Sequence, residues 1–284
     1  MNLLKHIQFQ QLVNLLLLIL VGFLNHTLQT SLVTVIALML FSGILELTIK
    51  QEFYIPYSAF ITALGVILMV GWLKWYIPYI VIALAILQKH YLKINGKHIF
   101  NPSNFALIVA IALFYPKALP IVGELGKQSY IVYIVIAIGT LILIRVNRYI
   151  ITLSFLFSYI LLSWLIIGKS DPIWNFEHFI SILYSTSFIV YIFFMLTDPV
   201  TTPKKTLQQI YFGFFTATLI VLLNYFIGIR LWHQFIALFL ASILFTPIYT
   251  KLTKEDYLKF TIILLLAFIT VFIISIKSPI YFSM

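Results

Sequence analysis

Long apolar runs separated by short polar connections make up almost the whole chain. A helix needs about 20 mainly apolar residues to cross the hydrocarbon core of a bilayer, within a range of about 17 to 25. Eleven runs approach or meet this length, at roughly residues 8–25, 30–49, 56–72, 75–90, 99–115, 129–144, 149–168, 176–196, 207–228, 232–249 and 258–276. The fifth and sixth runs are short, and such segments form half-helices in some transporters. The pattern therefore predicts an all-α polytopic membrane bundle with 10 or 11 transmembrane helices.

Composition indicates that lipid is the main solvent of this chain. Hydrophobic residues make up 62% of it and charged residues 9%, whereas soluble domains carry roughly 25% charged residues. A mean hydropathy of +1.08 leaves too few polar residues to cover a water-facing globule. Since every connection is short, residues 1–284 are predicted to form one membrane domain, without a Gly-rich phosphate loop for nucleotide hydrolysis.

The net charge of +10 predicts membrane orientation rather than a nucleic-acid partner. Nucleic-acid binding requires basic residues clustered on one water-facing surface, and here they are scattered between apolar runs. If the N terminus is cytoplasmic, one side of the membrane receives twelve of the 18 basic residues: Lys5, Lys50, Lys89, Lys93, Lys97, Arg145, Arg148, Lys204, Lys205, Lys251, Lys254 and Lys259. Cytoplasmic connections carry the excess of Lys and Arg. A cytoplasmic N terminus is therefore predicted.

The chain contains no cysteine. This excludes cysteine-ligated iron–sulfur clusters and thiolate zinc sites within it. Haem requires axial ligands inside the bundle, but all six histidines lie near the ends of predicted spans, where interfacial roles are expected. A redox centre held by this chain alone is therefore expected to be organic, with haem ligation by histidines as the alternative.

Two polar segments interrupt the apolar background, and each contains an Asx residue followed by proline. The first, Asn101-Pro102-Ser103-Asn104, opens the fifth run, and the second, Thr197-Asp198-Pro199-Val200-Thr201-Thr202, connects the eighth run to the ninth. Asn or Asp before proline favours a helix start, whose amides the following hydroxyl and amide side chains can cap. A helix start at membrane depth attracts phosphate, carboxylate or an electron-rich ring. Both segments are therefore predicted helix starts and candidate ligand sites.

The alternative for both motifs is a capped interfacial turn that binds nothing. Asp198 favours the ligand site because it is the only acid in its connection, and an acid at the membrane edge is a functional candidate. The predicted site consists of Asn101, Pro102, Ser103, Asn104, Thr197, Asp198, Pro199, Thr201 and Thr202. The two prolines are 97 residues apart, which suggests two structurally related halves, 1–128 and 129–284.

The same segments carry a resemblance to a known family. The string from Gly96 to Phe105, preceded by Gln88-Lys89-His90, resembles the first signature of the NqrB/RnfD family. The string from Phe194 to Pro203, followed by Tyr211-Phe212-Gly213, is similar to its second. The likeness runs from about Ser31 to Lys251, and the two motifs occur in the family's order.

Members of that family are membrane subunits of the sodium-pumping NADH:quinone oxidoreductase and of Rnf ferredoxin:NAD complexes. The resemblance implies a urea-transporter-like pair of helical bundles in the bacterial cytoplasmic (inner) membrane. It also implies partner subunits, a part in electron transport coupled to ion movement, and a bound flavin (FMN or riboflavin) or quinone. Covalent flavin attachment in the family uses a Ser/Thr-Gly-Ala-Thr stretch, which this chain lacks. A noncovalent cofactor, which would itself carry the catalysis, is therefore expected.

Two other functions remain open: a channel or transporter for a small polar solute on the same two-fold bundle, and a structural subunit without a ligand. Among the other polar residues, Glu46 is expected to reach the interface beside Lys50, with an ion path as the alternative. Arg145 and Arg148 are expected to be cytoplasmic anchors. Asn224 is expected to make an interhelical hydrogen bond worth about 1 kcal/mol.

Overall fold

The computed structural model describes residues 3–121, 129–168, 183 and 185–277. Eleven helices lie in these ranges: α1 Leu3–Leu24, α2 Leu32–Lys50, α3 Tyr57–Met69, α4 Ile77–Tyr91, α5 Pro102–Phe114, α6 Ser129–Val146, α7 Tyr149–Leu162, α8 Thr186–Val190, α9 Thr206–Ile227, α10 His233–Tyr249 and α11 Lys254–Lys277. The helix α7 continues as a π-helical turn, Ser163–Ile167, and α8 continues as another, Tyr191–Met195. Four short strands accompany the helices: β1 Val70–Trp72, β2 Lys93–Ile94, β3 Lys97–His98 and β4 Ala118–Pro120.

Each predicted apolar run contains one of these helices, and the all-α polytopic membrane fold is confirmed. Among the described residues, five helices are long and apolar enough to cross a bilayer: α1, α2, α7 with its π-turn, α9 and α11. Residues 176–182 and 184 of the eighth run lie outside the described residues. Residues 122–128, at the boundary of the two proposed halves, do so too, and the division into halves stays a prediction.

The helices α3 and α5 are too short to cross a bilayer by themselves. Each has 13 residues and rises about 20 Å, against a hydrocarbon core of about 30 Å. A three-residue strand follows each helix and adds about 10 Å. These strands, β1 and β4, pair antiparallel with Val70 opposite Pro120, which satisfies backbone groups that lipid cannot. The third run is therefore not the full helix that its length predicts, whereas the shortness of the fifth is confirmed.

The helix α10 lies at the centre of the bundle, and α11 lies at its edge. Every side chain of α10 from His233 to Ile243 is buried, as expected of a helix that is apolar on all faces. In contrast, α11 exposes large apolar side chains such as Leu265, Phe268 and Phe272. These exposed side chains are suited to lipid rather than to water.

A glycine lets α7 and α9 pack closely. A Cβ atom on Gly213 would lie 2.6 Å from the carbonyl oxygen of Ile151 and 2.9 Å from the backbone nitrogen of Phe155. Small residues allow membrane helices to approach in this way. At the start of α9, the Gln209 side chain donates to the Asn147 carbonyl at 3.2 Å. The packing therefore holds the second proline motif, which precedes α9, beside the α6–α7 connection.

Candidate ligand site at the two proline motifs

The two proline motifs, distant in the chain, meet in the fold. The Asn101 side-chain amide donates a hydrogen bond to the Asp198 carboxylate, with 3.1 Å between Nδ2 and Oδ2. Asn101 is buried and Asp198 is half-buried. A charged acceptor makes this one of the stronger classes of hydrogen bond. The structure thus joins the first and second motifs directly through the side chains that the sequence singles out.

The first motif forms the helix start that the sequence predicts. Asn101 is the N-cap of α5, and its Oδ1 accepts from the backbone N–H of Asn104 at 3.1 Å. Pro102 occupies the first helical position, where its missing N–H costs nothing. The Asn104 amide donates to the Phe235 carbonyl on α10 at 3.2 Å. This bond anchors the start of α5 to the central helix.

The second motif is a turn, and the prediction of a helix start there is wrong. The helix α9 begins only at Thr206. Proline at position 203 disfavours helical geometry at Thr202 and has no N–H to donate to the Pro199 carbonyl, so a helix that begins at Pro199 cannot continue. Instead, Asp198 Oδ1 accepts from the Val200 N–H at 2.9 Å, an Asx turn that closes the loop locally. The turn places the second carboxylate oxygen of Asp198 against Asn101.

Arg148 and Tyr249 hold this turn in place. Arg148 Nε donates to Thr202 Oγ1 at 3.1 Å, and the Tyr249 hydroxyl donates to the Thr201 carbonyl at 3.0 Å. Arg148 is only 5% exposed. The expectation of a cytoplasmic anchor is therefore wrong for Arg148, which lies inside the fold because Thr202 and nearby carbonyls accept from its guanidinium. Arg145, by contrast, is exposed.

A cavity of about 130 Å³ lies where the motifs meet. Asn101, Pro102, Ser103, Asp198 and Pro199 line it. The other wall residues come from α1, α3, the β2–β3 hairpin, α8 with its π-turn, and the turn after Asp198: Ile7, Gln8, Gln11, Leu15, Ser58, Ile61, Thr62, Gly65, Leu68, Met69, His98, Val190, Phe194, Met195 and Val200. Five of the nine predicted site residues therefore face one space, mostly apolar with a few polar groups, as ligand sites are.

The remaining four predicted residues support that space from behind. Thr197 donates to the Phe193 carbonyl at 2.9 Å. Thr202 donates to the Asp198 carbonyl and Thr201 accepts from Tyr249. The side-chain oxygen of Asn104 is buried without a hydrogen-bond partner among the described residues. An unsatisfied buried acceptor of this kind requires a water molecule or ligand donor to offset its desolvation.

A buried ion pair adjoins the cavity, and the sequence does not predict it. Lys89 Nζ lies 2.9 Å from Glu46 Oε2 and donates to Ser58 Oγ at 3.0 Å. Glu46 is 2% exposed and Lys89 is 5% exposed. The expectation that Glu46 reaches the interface is wrong, because α4 supplies a lysine that pairs with it inside the protein. Ser58 lines the cavity, so its hydrogen bond with Lys89 connects the ion pair to the cavity wall.

Cationic and titratable groups surround the Asp198 carboxylate. Burial lowers the pKa of the His98 ring below its ordinary value, while the charge of Asp198 opposes that shift. Burial likewise lowers the pKa of the Arg148 guanidinium, again opposed by Asp198. A histidine with a lowered pKa is neutral near pH 7. The cavity wall then offers the Asp198 carboxylate, the Asn101 amide and a neutral His98 imidazole. Together these groups can donate hydrogen bonds to one polar ligand and accept hydrogen bonds from it.

Asn224 makes the interhelical hydrogen bond that the sequence predicts. Its Oδ1 lies 2.7 Å from His233 Nδ1, which joins α9 to α10. This pair does not line the cavity.

Gly65 sets the distance between α3 and α5 at the cavity. A Cβ atom there would lie 2.9 Å from Ser103 Cβ and would overlap the Ser103 hydroxyl. We expect Gly65→Ala to destabilise the protein by about 1–3 kcal/mol through overpacking. Ser103→Gly removes the side chain that the new Cβ atom would overlap. Gly65→Ala should therefore lower the free energy of unfolding clearly less in a Ser103→Gly background than in the wild type, as measured by unfolding in mixed micelles. An equal cost of Gly65→Ala in both backgrounds would contradict this contact.

The comparisons with known proteins concern the second part of the chain. The profile of the NQR2, RnfD, RnfE family matches residues 119–259. This range includes the second proline motif, Arg148 and α10, and it ends within α11; the first motif, at residues 101–104, precedes it. No curated protein matches the chain.

Proposed function

Because the chain belongs to the NQR2, RnfD, RnfE family, we propose that it carries electrons as a membrane subunit of an Rnf- or Nqr-type complex. In this proposal, a noncovalent flavin or quinone lies at the cavity between the two proline motifs. The observation that carries the proposal is the hydrogen bond between Asn101 and Asp198, which joins the two motifs at a cavity wall.

The polar residues of the cavity fit the edge of a flavin or quinone ring. Such rings present carbonyl acceptors, and a flavin adds an imide N–H donor. The Asn101 amide can donate and the Asp198 carboxylate can accept, and both line the cavity. These two side chains would hold the polar edge of the ring.

The size of the cavity limits how much of a cofactor it holds. At about 130 Å³, it is smaller than the roughly 300–1,000 Å³ of sites that enclose a drug-sized ligand. It therefore fits one polar edge rather than a whole three-ring system. Met69 and Met195 line the apolar side, and methionine side chains repack readily. Their movement would enlarge the cavity without breaking a hydrogen bond.

Electron transfer through this chain would depend on partners. The bound flavin or quinone would supply the redox chemistry, and the chain would position it and exclude water. With no cysteine, the chain holds no cysteine-ligated iron–sulfur cluster. Electrons would therefore arrive from and leave to other redox subunits, and coupled ion movement would require the assembled complex.

The test is the absorption spectrum of the full chain, purified unboiled in mild detergent, with chromatography of an acid and an organic extract. We expect flavin absorption, or extracted quinone, in a fixed ratio to protein. A colourless protein whose extracts contain neither compound would reject the proposal.

A channel for a small polar solute is the second candidate, and the structure offers one observation in its favour. The cavity is flanked by the short helices α3 and α5 and is of a size suited to a few water-sized groups. Solute entry into proteoliposomes that contain only this chain, together with an absence of flavin and quinone, would favour the channel.

The orientation in the membrane is part of the proposal. We place the N terminus in the cytoplasm and the protein in the bacterial inner membrane, on the twelve basic residues of one side. Reporter fusions at the N terminus and at Met284 test this orientation.

A further inference from the structure

A second, larger cavity lies behind the Asp198 turn. Its volume is about 430 Å³, and it is lined by Lys97, Pro199, Val200, Thr202, Lys204, Lys205, Gln208, Pro247, Ile248, Tyr249, Thr250 and Lys251. These residues come from β3, from the connection before α9, from the first turn of α9 and from the end of α10. Pro199 and Val200 also line the first cavity, so the Asp198 turn separates the two spaces.

We propose that this cavity binds a phosphate group, carried either by an anionic lipid or by a soluble phosphate compound. The cavity is hereafter called the lysine cavity. The proposal does not depend on the redox role, because the lysines that it concerns do not line the first cavity and its ligand is different.

The charge of the lysine cavity favours an anionic ligand. Four of its twelve lining residues are lysines and none is acidic. The ion pairs found among the described residues involve Glu46 with Lys50 and Lys89, so none of these four lysines forms an ion pair there. Four like charges around one space repel each other until an anion neutralises them. Lysine is an ordinary phosphate ligand that acts as a point charge.

Hydrogen-bond donors complete the cavity. Thr250 contributes a hydroxyl group to the wall, whereas the Thr202 hydroxyl already donates to the Asp198 carbonyl. Lys205, the N-cap residue of α9, makes no side-chain capping bond, so the first amides of this 22-residue helix add a positive dipole end. The wall is held in shape by Gln208, which donates to the Ile248 carbonyl at 3.2 Å and ties α9 to α10.

The position of the cavity explains why two sources of phosphate are possible. Lys97, Lys204, Lys205 and Lys251 all belong to the side that carries the twelve basic residues. Basic pockets between membrane helices on that side bind anionic lipid headgroups. The exposed lysines also face water, which gives soluble phosphate compounds equal access. A lipid headgroup and a soluble phosphate compound would both supply the negative charge that the four lysines attract.

The test compares the double variant Lys204→Gln/Lys205→Gln with a control, Lys254→Gln/Lys259→Gln. The control removes the same charge from the same side, at exposed lysines of α11 outside the cavity. In one arm, inorganic phosphate and pyrophosphate are titrated onto the full chain in detergent at constant ionic strength. In the other, the chain is placed in nanodiscs of phosphatidylcholine alone or mixed equally with phosphatidylglycerol. Thermal unfolding is measured in both arms.

We expect one of the two phosphate sources to raise the unfolding temperature of the wild-type chain and of the control. In the cavity variant, we expect that ligand to bind about 30-fold more weakly, given about 1 kcal/mol for each of the two lysines and about 1.4 kcal/mol for each tenfold change. Stabilisation by phosphate or pyrophosphate assigns a soluble ligand, and stabilisation by phosphatidylglycerol assigns a lipid headgroup. No stabilisation by either, or equal losses in the two double variants, would overturn the proposal.

Discussion

Replacing Lys89 by methionine is expected to lower the free energy of unfolding by about 3–5 kcal/mol, the cost of leaving a buried charge without its partner. Glu46 is 2% exposed and accepts from Lys89 at 2.9 Å. The Tyr54 hydroxyl, which also donates to Glu46, does not replace the lost charge. Methionine keeps roughly the length of the lysine side chain and its apolar packing. The loss of stability can therefore be attributed to the missing charge.

Lys50 provides a matched control for this experiment. It lies 3.6 Å from the same carboxylate but is 40% exposed, and exposed ion pairs contribute about 0–1 kcal/mol. Lys50→Met should therefore change stability little. The double variant Glu46→Gln/Lys89→Met should recover much of the loss, since no buried charge remains. Equal small effects of Lys50→Met and Lys89→Met, measured by reversible unfolding in mixed micelles, would show that the buried pair is not formed.

Asp198→Asn is expected to weaken cofactor binding by about 10- to 100-fold while the fold persists, because a hydrogen bond to a charged group contributes about 1.5–3 kcal/mol. Asparagine has the same shape and can still accept from the Val200 N–H, which keeps the Asx turn. It removes the negative charge that faces Asn101, His98 and Arg148. The ratio of bound flavin or quinone to purified protein measures the effect.

Asp256→Asn is the control for the same chemical change elsewhere. Asp256 caps the start of α11 through Thr253 and does not line the cavity. The Asp256→Asn variant should retain the wild-type ratio of bound cofactor to protein. If Asp198→Asn also retains it, with an unchanged unfolding temperature, then Asp198 does not bind the ligand and the proposed site is wrong. A fall in unfolding temperature without loss of cofactor would show a purely structural role for Asp198.

Local rules explain why part of the candidate site could be predicted. Asn101 before Pro102 caps α5 as expected, because a cap depends only on neighbouring residues. The second motif obeys a different local rule: Pro203 interrupts a helix that begins at Pro199, and the Asp198 side chain closes an Asx turn instead. No local rule predicts that Asn101 and Asp198 form a hydrogen bond, since 97 residues separate them.

Arg148 and Glu46 show where sequence reasoning fails for charged residues. Basic residues near span ends are usually anchors, and acids there usually reach water. Both exceptions depend on distant partners: Thr202 for Arg148, and Lys89 on α4 for Glu46. A single apolar sequence carries no signal for such pairs. The nearest available signal was that Glu46 and Lys89 each lie inside or at the edge of an apolar run.

The sequence by itself determined the solvent, the helical class and the approximate limits of the helices, because hydrophobic run length is a local property set by bilayer thickness. It also marked Asn101 and Asp198, since polar residues are conspicuous in a chain with 9% charged residues. Only the tertiary structure decided that the two motifs share one cavity, that β1 pairs with β4, and that four lysines surround a second cavity. These features arise from packing between segments far apart in the chain, where the pairing of each charge and backbone group depends on the whole bundle.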